Sequence, residues 1–249
     1  MVKKYVIIFL IMGLLLVSLS LLAKNNVKDD YNTRTDREEV KSIDDFEQFT
    51  DLKEVNFNGN YTINLEQSSK PALKITGNNL KYLDVYIEDD CLYITTKTNH
   101  KNILKSSDID IQVSIPELRK ITADGVIDLS NVNAIKGKNL SIDFNGVGSF
   151  NLNKLDYEVI KLNVNGTGEA KLNGQTNKLA LDLTGIGSID TQNLKAYNCI
   201  ARNSGIGLIS LYAENELKAY IEGLGSIEYL GNPQVQKKIN GLGSVDRID

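Results

Sequence analysis

The amino-acid sequence predicts an all-β fold of one kind: a single-stranded parallel β-helix (β-solenoid), right-handed, with coils of about 20 residues. Three observations lead there. A pair of glycines one residue apart recurs through the second half of the chain, as "DFNGVGSFNL" (143–152), "NVNGTGEAKL", "DLTGIGSIDT", "RNSGIGLISL", "YIEGLGSIEY" and "INGLGSVDRI". The first glycine of each copy stands at 125, 146, 166, 185, 205, 223 and 241, a spacing of 18 to 21 residues. Beyond the N-terminal apolar run the apolar residues alternate as in strands, with no helical period.

The chain opens with "MVKKYVIIFLIMGLLLVSLSLLAKNN", in which Lys3 and Lys4 precede an uncharged run of 19 residues from Tyr5 to Ala23. A secretory signal has an apolar run of about 7–15 residues, and a spanning helix needs about 20. Residues 1–23 therefore read either as a signal peptide, cleaved near Ser18 and Ser20, or as a retained N-terminal membrane anchor. Both predict an exported protein, in the periplasm or at the cell surface, touching membrane only through residues 5–23 if these stay uncleaved. No cysteine follows the run, against a lipoprotein anchor. Residues 24–43 are polar without apolar periodicity and read as a linker. The folded domain is expected over 44–249, with strands or a cap over 44–118 and repeat coils over 119–249. Within the cap region, "LDVYIEDDCLYITT" reads as two strands folded at Glu88, Asp89 and Asp90, and "SDIDIQVSIPELRKI" continues the strand pattern.

The phase of the repeat supports stacked coils. Four and two residues before the first glycine stand Ile142 and Phe144, Leu162 and Val164, Leu181 and Leu183, and Ala219 and Ile221. Four after it come Leu129, Phe150, Ala170, Ile189, Ile209, Ile227 and Val245. These share one parity, so each coil points them inward. The residues just before the glycine are polar: Asp124, Asn145, Asn165, Thr184, Ser204, Glu222 and Asn240. The structural glycines are Gly125, Gly146, Gly148, Gly166, Gly168, Gly185, Gly187, Gly205, Gly207, Gly223, Gly225, Gly241 and Gly243. They share the parity of the core where the coil must bend, and a side chain there would meet the neighbouring coil. The first copy has Ile127 in place of the second glycine. A string of Asn-Gly hairpins is the competing reading, but only three of the seven copies carry that dipeptide.

The repeated Gly-x-Gly segments, the stretch "VSIPELRKI" and the closing "EYLGNPQV…GLGSV" together resemble the head GIN domain family, described as putative auto-transporter adhesins. The resemblance spans roughly residues 40–249. It implies a parallel β-helix and an exported bacterial protein with an unproven adhesive role, and it implies no enzyme activity and no catalytic residues. Asn203 departs from the pattern by filling a slot that is usually apolar, which suggests a local bulge.

Little in the sequence points to chemistry. The formal net charge is −4 and the 28 basic residues are scattered, whereas a nucleic-acid reader needs a concentrated basic face. Tryptophan is absent, against an aromatic sugar platform. Asp128, Asp190, Glu228 and Asp246 read as solvated positions rather than paired catalytic acids. His100 is the only histidine, too little for a triad or a histidine metal cluster. The glycine pairs lack the third glycine and following helix of a nucleotide fingerprint, and lack the calcium-binding nonapeptide. No cofactor or metal is expected. Cys91 and Cys199 read as small buried hydrophobes, with a disulfide as the alternative.

One candidate interaction face remains. Between the glycines stand Val147, Thr167, Ile186, Ile206, Leu224 and Leu242, with Val126 in the first copy. Their parity is opposite to the core, so they form either an exposed apolar ladder or, if the corner breaks alternation, a second core stripe. The sequence thus predicts a non-catalytic exported binding module whose partner is a protein, a surface polymer or another copy. A membrane-tethered structural or signalling accessory is the alternative, and a carbohydrate-active enzyme a distant third.

Overall fold

Alternation that resets at two bends in each coil, together with the glycine corner, is what turns these strands into coils. In the computed structural model, residues 39–41, 46–97 and 109–249 are described, and within them the chain is almost entirely strand. Glu38–Asp249 make up one compact unit. The apolar run, most of the linker and His100 lie outside the described residues. The repeat region contains β7 (Lys120–Asn131), β8 (Ile135–Phe144), β9 (Val147–Val164), β10 (Thr167–Leu183), β11 (Ile186–Asn203), β12 (Ile206–Ile221), β13 (Leu224–Leu230), β14 (Gln234–Ile239) and β15 (Leu242–Arg247). Each pairs in parallel with the segment one coil earlier, glycine on glycine: Gly148↔Gly168↔Gly187↔Gly207↔Gly225↔Gly243. Residues 141–144 and 147–152 accordingly lie parallel to 161–164 and 167–172, which excludes the hairpin reading.

The core follows from where alternation resets. Along β9 the buried residues are Phe150 and Leu152, then Leu155 and Tyr157, then Ile160, Leu162 and Val164. Parity changes between Leu152 and Leu155 and again between Tyr157 and Ile160, so the coil bends there. Lys154, at the first bend, has φ 56°. With the glycine corner, these bends fold each coil into three short faces around one core. Phe144 and Phe150 pack with ring centroids 4.8 Å apart. Truncating a buried phenylalanine of this kind to alanine costs about 3–5 kcal/mol.

The structure changes three details of the sequence reading. First, the stack begins one coil before residue 119. Strand β2 (Glu54–Gln67) pairs in parallel with β7, setting Asn58, Gly59, Asn60 and Tyr61 against Asp124, Gly125, Val126 and Ile127. The stretch "NFNGNYTINL" is thus another copy, hidden because Asn60 and Tyr61 replace the aliphatic residue and the second glycine. Second, Asn203 forms no bulge, since it is fully buried and in register between Leu183 and Ile221. Its Nδ2 donates to the Gly207 carbonyl at 2.9 Å, while its buried Oδ1 has no partner. The shifts in register lie instead at the first bend, between Leu172 and Gly174 and between Thr191 and Ala196. Third, β1 (Glu39–Lys41), at the end of the expected linker, pairs antiparallel with β3 (Ala72–Gly77).

Beneath β2 the direction of the chain reverses. Its two halves pair in parallel with β5 (Cys91–Thr96) and β6 (Asp110–Ile115). Behind these run β4 (Leu83–Glu88), antiparallel to β5, and β3, antiparallel to β6. The β4–β5 turn falls at Asp89 and Asp90, with Val85 opposite Ile94 and Ile87 opposite Leu92. Leu73, Ile75, Leu83, Leu92, Ile111 and Val113 are all buried here and continue the core of the coils.

Candidate functional site

The glycine corner is built by a collision that only glycine avoids. A Cβ added at Gly146 would overlap the carbonyl oxygen of Gly125, one at Gly166 that of Gly146, and one at Gly185 that of Gly166. Backbone lies against backbone along the whole row. Gly148 adds a second reason, with φ 142°, where L side chains are strained. In the first coil a Cβ on Gly59 would instead overlap the ring of Tyr61. That phenol donates to the Asn58 carbonyl at 3.0 Å, shares a 2.9 Å hydrogen bond with Thr96, and is pushed up to about 12 by burial.

Alternation passes straight through this corner. Val164, Gly166, Gly168 and Ala170 keep one parity, which leaves the residue between the glycines on the outside. Val126, Val147, Ile186, Ile206, Leu224 and Leu242 are between 37 and 73% exposed, and Thr167 is exposed with them. They stand in one row, paired coil to coil. The second core stripe is therefore excluded. Sequence parity held this answer, but a corner that reset it, as the other two bends do, would have turned the row inward.

The ladder has polar flanks. On the first-glycine side Asn165 Nδ2 donates to Asn145 Oδ1 at 2.9 Å, and the Thr184 hydroxyl donates to Asn165. On the other side Ser149 Oγ donates to Asp128 at 2.7 Å, and the Ser226 and Ser244 hydroxyls lie 3.4 Å apart. Between ladder and first flank runs a shallow trough of about 640 Å³, floored by Gly125, Gly146, Gly166 and Gly185 and walled by Val126, Val147, Thr167 and Ile186 opposite Asn145 and Asn165. Its walls are amide and aliphatic apart from the Thr167 hydroxyl, suited to extended contact and without an acid–base pair.

Of the acidic residues singled out in the sequence, Asp128 lies on the ladder's flank and the others lie on a neighbouring outer row. Asp190 pairs with Lys171 at 3.4 Å and stands in one row with Glu228 and Asp246 on an outer face. Asp128 is taken by Ser149. A second hollow, of about 420 Å³, is lined by Tyr157, Thr176, Lys195, Tyr197 and Glu214 among others, and the Tyr157 hydroxyl already donates to the Leu118 carbonyl at 2.8 Å. Among the described residues no group of three or more His, Cys, Asp or Glu is placed to hold a metal ion. Cys91 and Cys199 are buried free thiols; Cys199 Sγ donates to the Tyr212 carbonyl at 3.4 Å, and burial pushes it up to about 12, far from a reactive thiolate. No helix among the described residues is long and apolar enough to cross a membrane.

Residues 51–233 match the family model described as putative auto-transporter adhesin, head GIN domain. The chain belongs to the head GIN domain family. The fold has counterparts of known structure: a putative adhesin from Bacteroides fragilis is 26% identical, with a TM-score of 0.80 over 86% of this chain and 98% of that one. A putative lipid binding protein from Parabacteroides distasonis is 23% identical, with a TM-score of 0.60 over 86% and 98% of the two chains. A putative adhesin from Parabacteroides merdae, also 23% identical, has a TM-score of 0.57 over 85% and 95%. At these identities the last two show a shared fold. No curated protein matches the chain. Nothing in the family description, one of putative adhesins, conflicts with a non-catalytic surface module.

Proposed function

We propose that this head GIN domain is an exported, non-catalytic binding module that adheres through its glycine corner. The observation that carries the reading is the row of exposed aliphatic side chains from Val126 to Leu242. Six inter-coil steps of about 4.8 Å make the row about 29 Å long. Apolar residues gathered this way on a surface mark an interaction site. Covering the exposed part of one such side chain contributes about 1 kcal/mol, so adhesion here needs several rungs at once. A straight face of that length suits a macromolecule rather than a small molecule, which binds in a concave pocket. The apolar run of residues 5–23 supports export and, if retained, a tether that holds the module at the envelope.

The test is a cell displaying the full chain, compared with one displaying Ile206→Lys with Leu224→Lys, on surfaces coated with mucin, with a polysaccharide or with the chain itself. Retention should be lost with the double variant while the melting temperature of the purified protein stays within a few degrees of wild type. Equal retention by both chains would remove the corner as the binding face. Unfolding of the variant would contradict the exposure of both positions.

A further inference from the structure

The ladder has a property that narrows its partner. A row of side chains at a spacing of about 4.8 Å is matched rung for rung over its full length only by a surface that repeats at that period too. Another copy of this chain presents such a surface. Side-chain size is graded along the row: Val126, Val147 and Thr167 stand at the N-terminal side of Ile186, and Ile206, Leu224 and Leu242 at the other. Reversed on itself about Ile186, the row sets Val126 against Leu242, Val147 against Leu224 and Thr167 against Ile206, so that large meets small at every rung but the central one, where Ile186 meets its own copy.

The flanks agree with the same arrangement. Asp124 then faces Asn240 and Glu222 faces Asn145, while on the other flank Asp128 faces Ser244 and Glu169 faces Leu208. No carboxylate meets another. A parallel two-fold pair would instead bring each flank against its opposite, with Asp124 beside Asp128. The ladder alone exposes on the order of 600 Å² per copy, or about 1,200 Å² across a pair, the lower bound of a specific interface. Its apolar centre and polar margins follow the anatomy of such interfaces.

We infer that two copies of this chain pair side by side and antiparallel through the glycine corner, about a two-fold axis at Ile186. The inference rests on the corner being the binding face. It places the N-terminal closures of the two copies at opposite ends of the pair, which is the arrangement that joins two surfaces rather than two neighbours on one.

The experiment uses the purified full chain. Light scattering over a concentration series should give twice the chain mass for wild type and the chain mass for Leu224→Lys, with no loss of melting temperature. Oxidative cross-linking supplies the geometry. Ile186→Cys should cross-link to itself, and Leu242→Cys should cross-link to Val126→Cys but not to itself; the native thiols are buried and give little background. A single chain mass at every concentration overturns the pairing. In that case, loss of surface retention by Ile206→Lys with Leu224→Lys leaves the binding face standing with a different partner, and unchanged retention removes both. Self-cross-linking of Leu242→Cys overturns the antiparallel arrangement.

Discussion

At its N-terminal end the stack is closed by backbone, whereas at its C-terminal end it is closed by side chains. Below β2, β5 and β6 still pair with it in parallel, but beyond them β4 and β3 turn antiparallel, and buried Leu73, Ile75 and Leu83 cover the inward rows. At the other end β14 and β15 each pair on one side only among the described residues. The inward row of Leu162, Leu181, Ala201 and Ala219 ends there at Lys237, and the row of Thr191, Leu211 and Tyr229 ends at Arg247. Both cations are exposed. Val235 and Val245 still pack on the core between them. An inward-pointing charge on an edge strand blocks edge-to-edge pairing, because the next coil would have to bury it unpaired. Closing a parallel stack by backbone takes several long-range strands; closing it by charge takes two residues.

The comparison can be broken most severely at the N-terminal end. Deleting residues 1–118 removes β2 and the antiparallel strands together and bares the edge of β7 with Ile121, Ala123 and Leu129 beneath it. The remaining 119–249 fragment should aggregate, and a soluble monomer with the native strand signature in circular dichroism would show that the closure is dispensable. A smaller but sharper effect is expected at the other end. Lys237→Leu with Arg247→Leu should keep or raise the melting temperature while converting the protein to end-to-end assemblies, visible as rods in electron microscopy. Unchanged particle length would mean that the charges are not what ends the stack.

The smallest effect concerns the outer row that runs Asp182, Arg202, Tyr220 and Lys238 toward that charged end. Burial raises the Asp182 carboxyl above its usual value, partly offset by Arg202 and reinforced by Glu222. The native state therefore holds this proton more tightly than the unfolded chain. Its contribution to stability grows as pH falls through the window between the raised and the ordinary value, and is absent above it. Asp182→Asn should leave stability at pH 7 within about 0.5 kcal/mol of wild type and remove that acid-side gain. Chemical denaturation at two pH values checks it, and an unaltered pH slope would show that Asp182 titrates as it does in the unfolded chain.

Much of the fold was legible in the sequence because its determinants are local and repeated. A glycine pair every 18 to 21 residues with core residues of one parity around it leaves few structures other than a parallel stack. The same parity singled out the ladder residues, including Ile186, Ile206, Leu224 and Leu242, but left open whether the corner turns them in or out. The coil at Gly59 was not legible, since Asn60 and Tyr61 erase the motif and only pairing with β7 restores it. Asn203 looked like a fault in the pattern until register showed it buried within the row, donating to a neighbouring carbonyl.

By itself, the sequence determined the repeat, the parallel stacking and the need for glycine at the corner, because each is a steric condition that one coil imposes on the next. Only the tertiary structure decided that the corner leaves its central residues outside, that β3 and β4 reverse direction, and that Lys237 and Arg247 fall in inward rows. These depend on how the chain bends and which distant strands meet. Alternation names two sides of a strand, but which side faces the core is settled only when the coil closes.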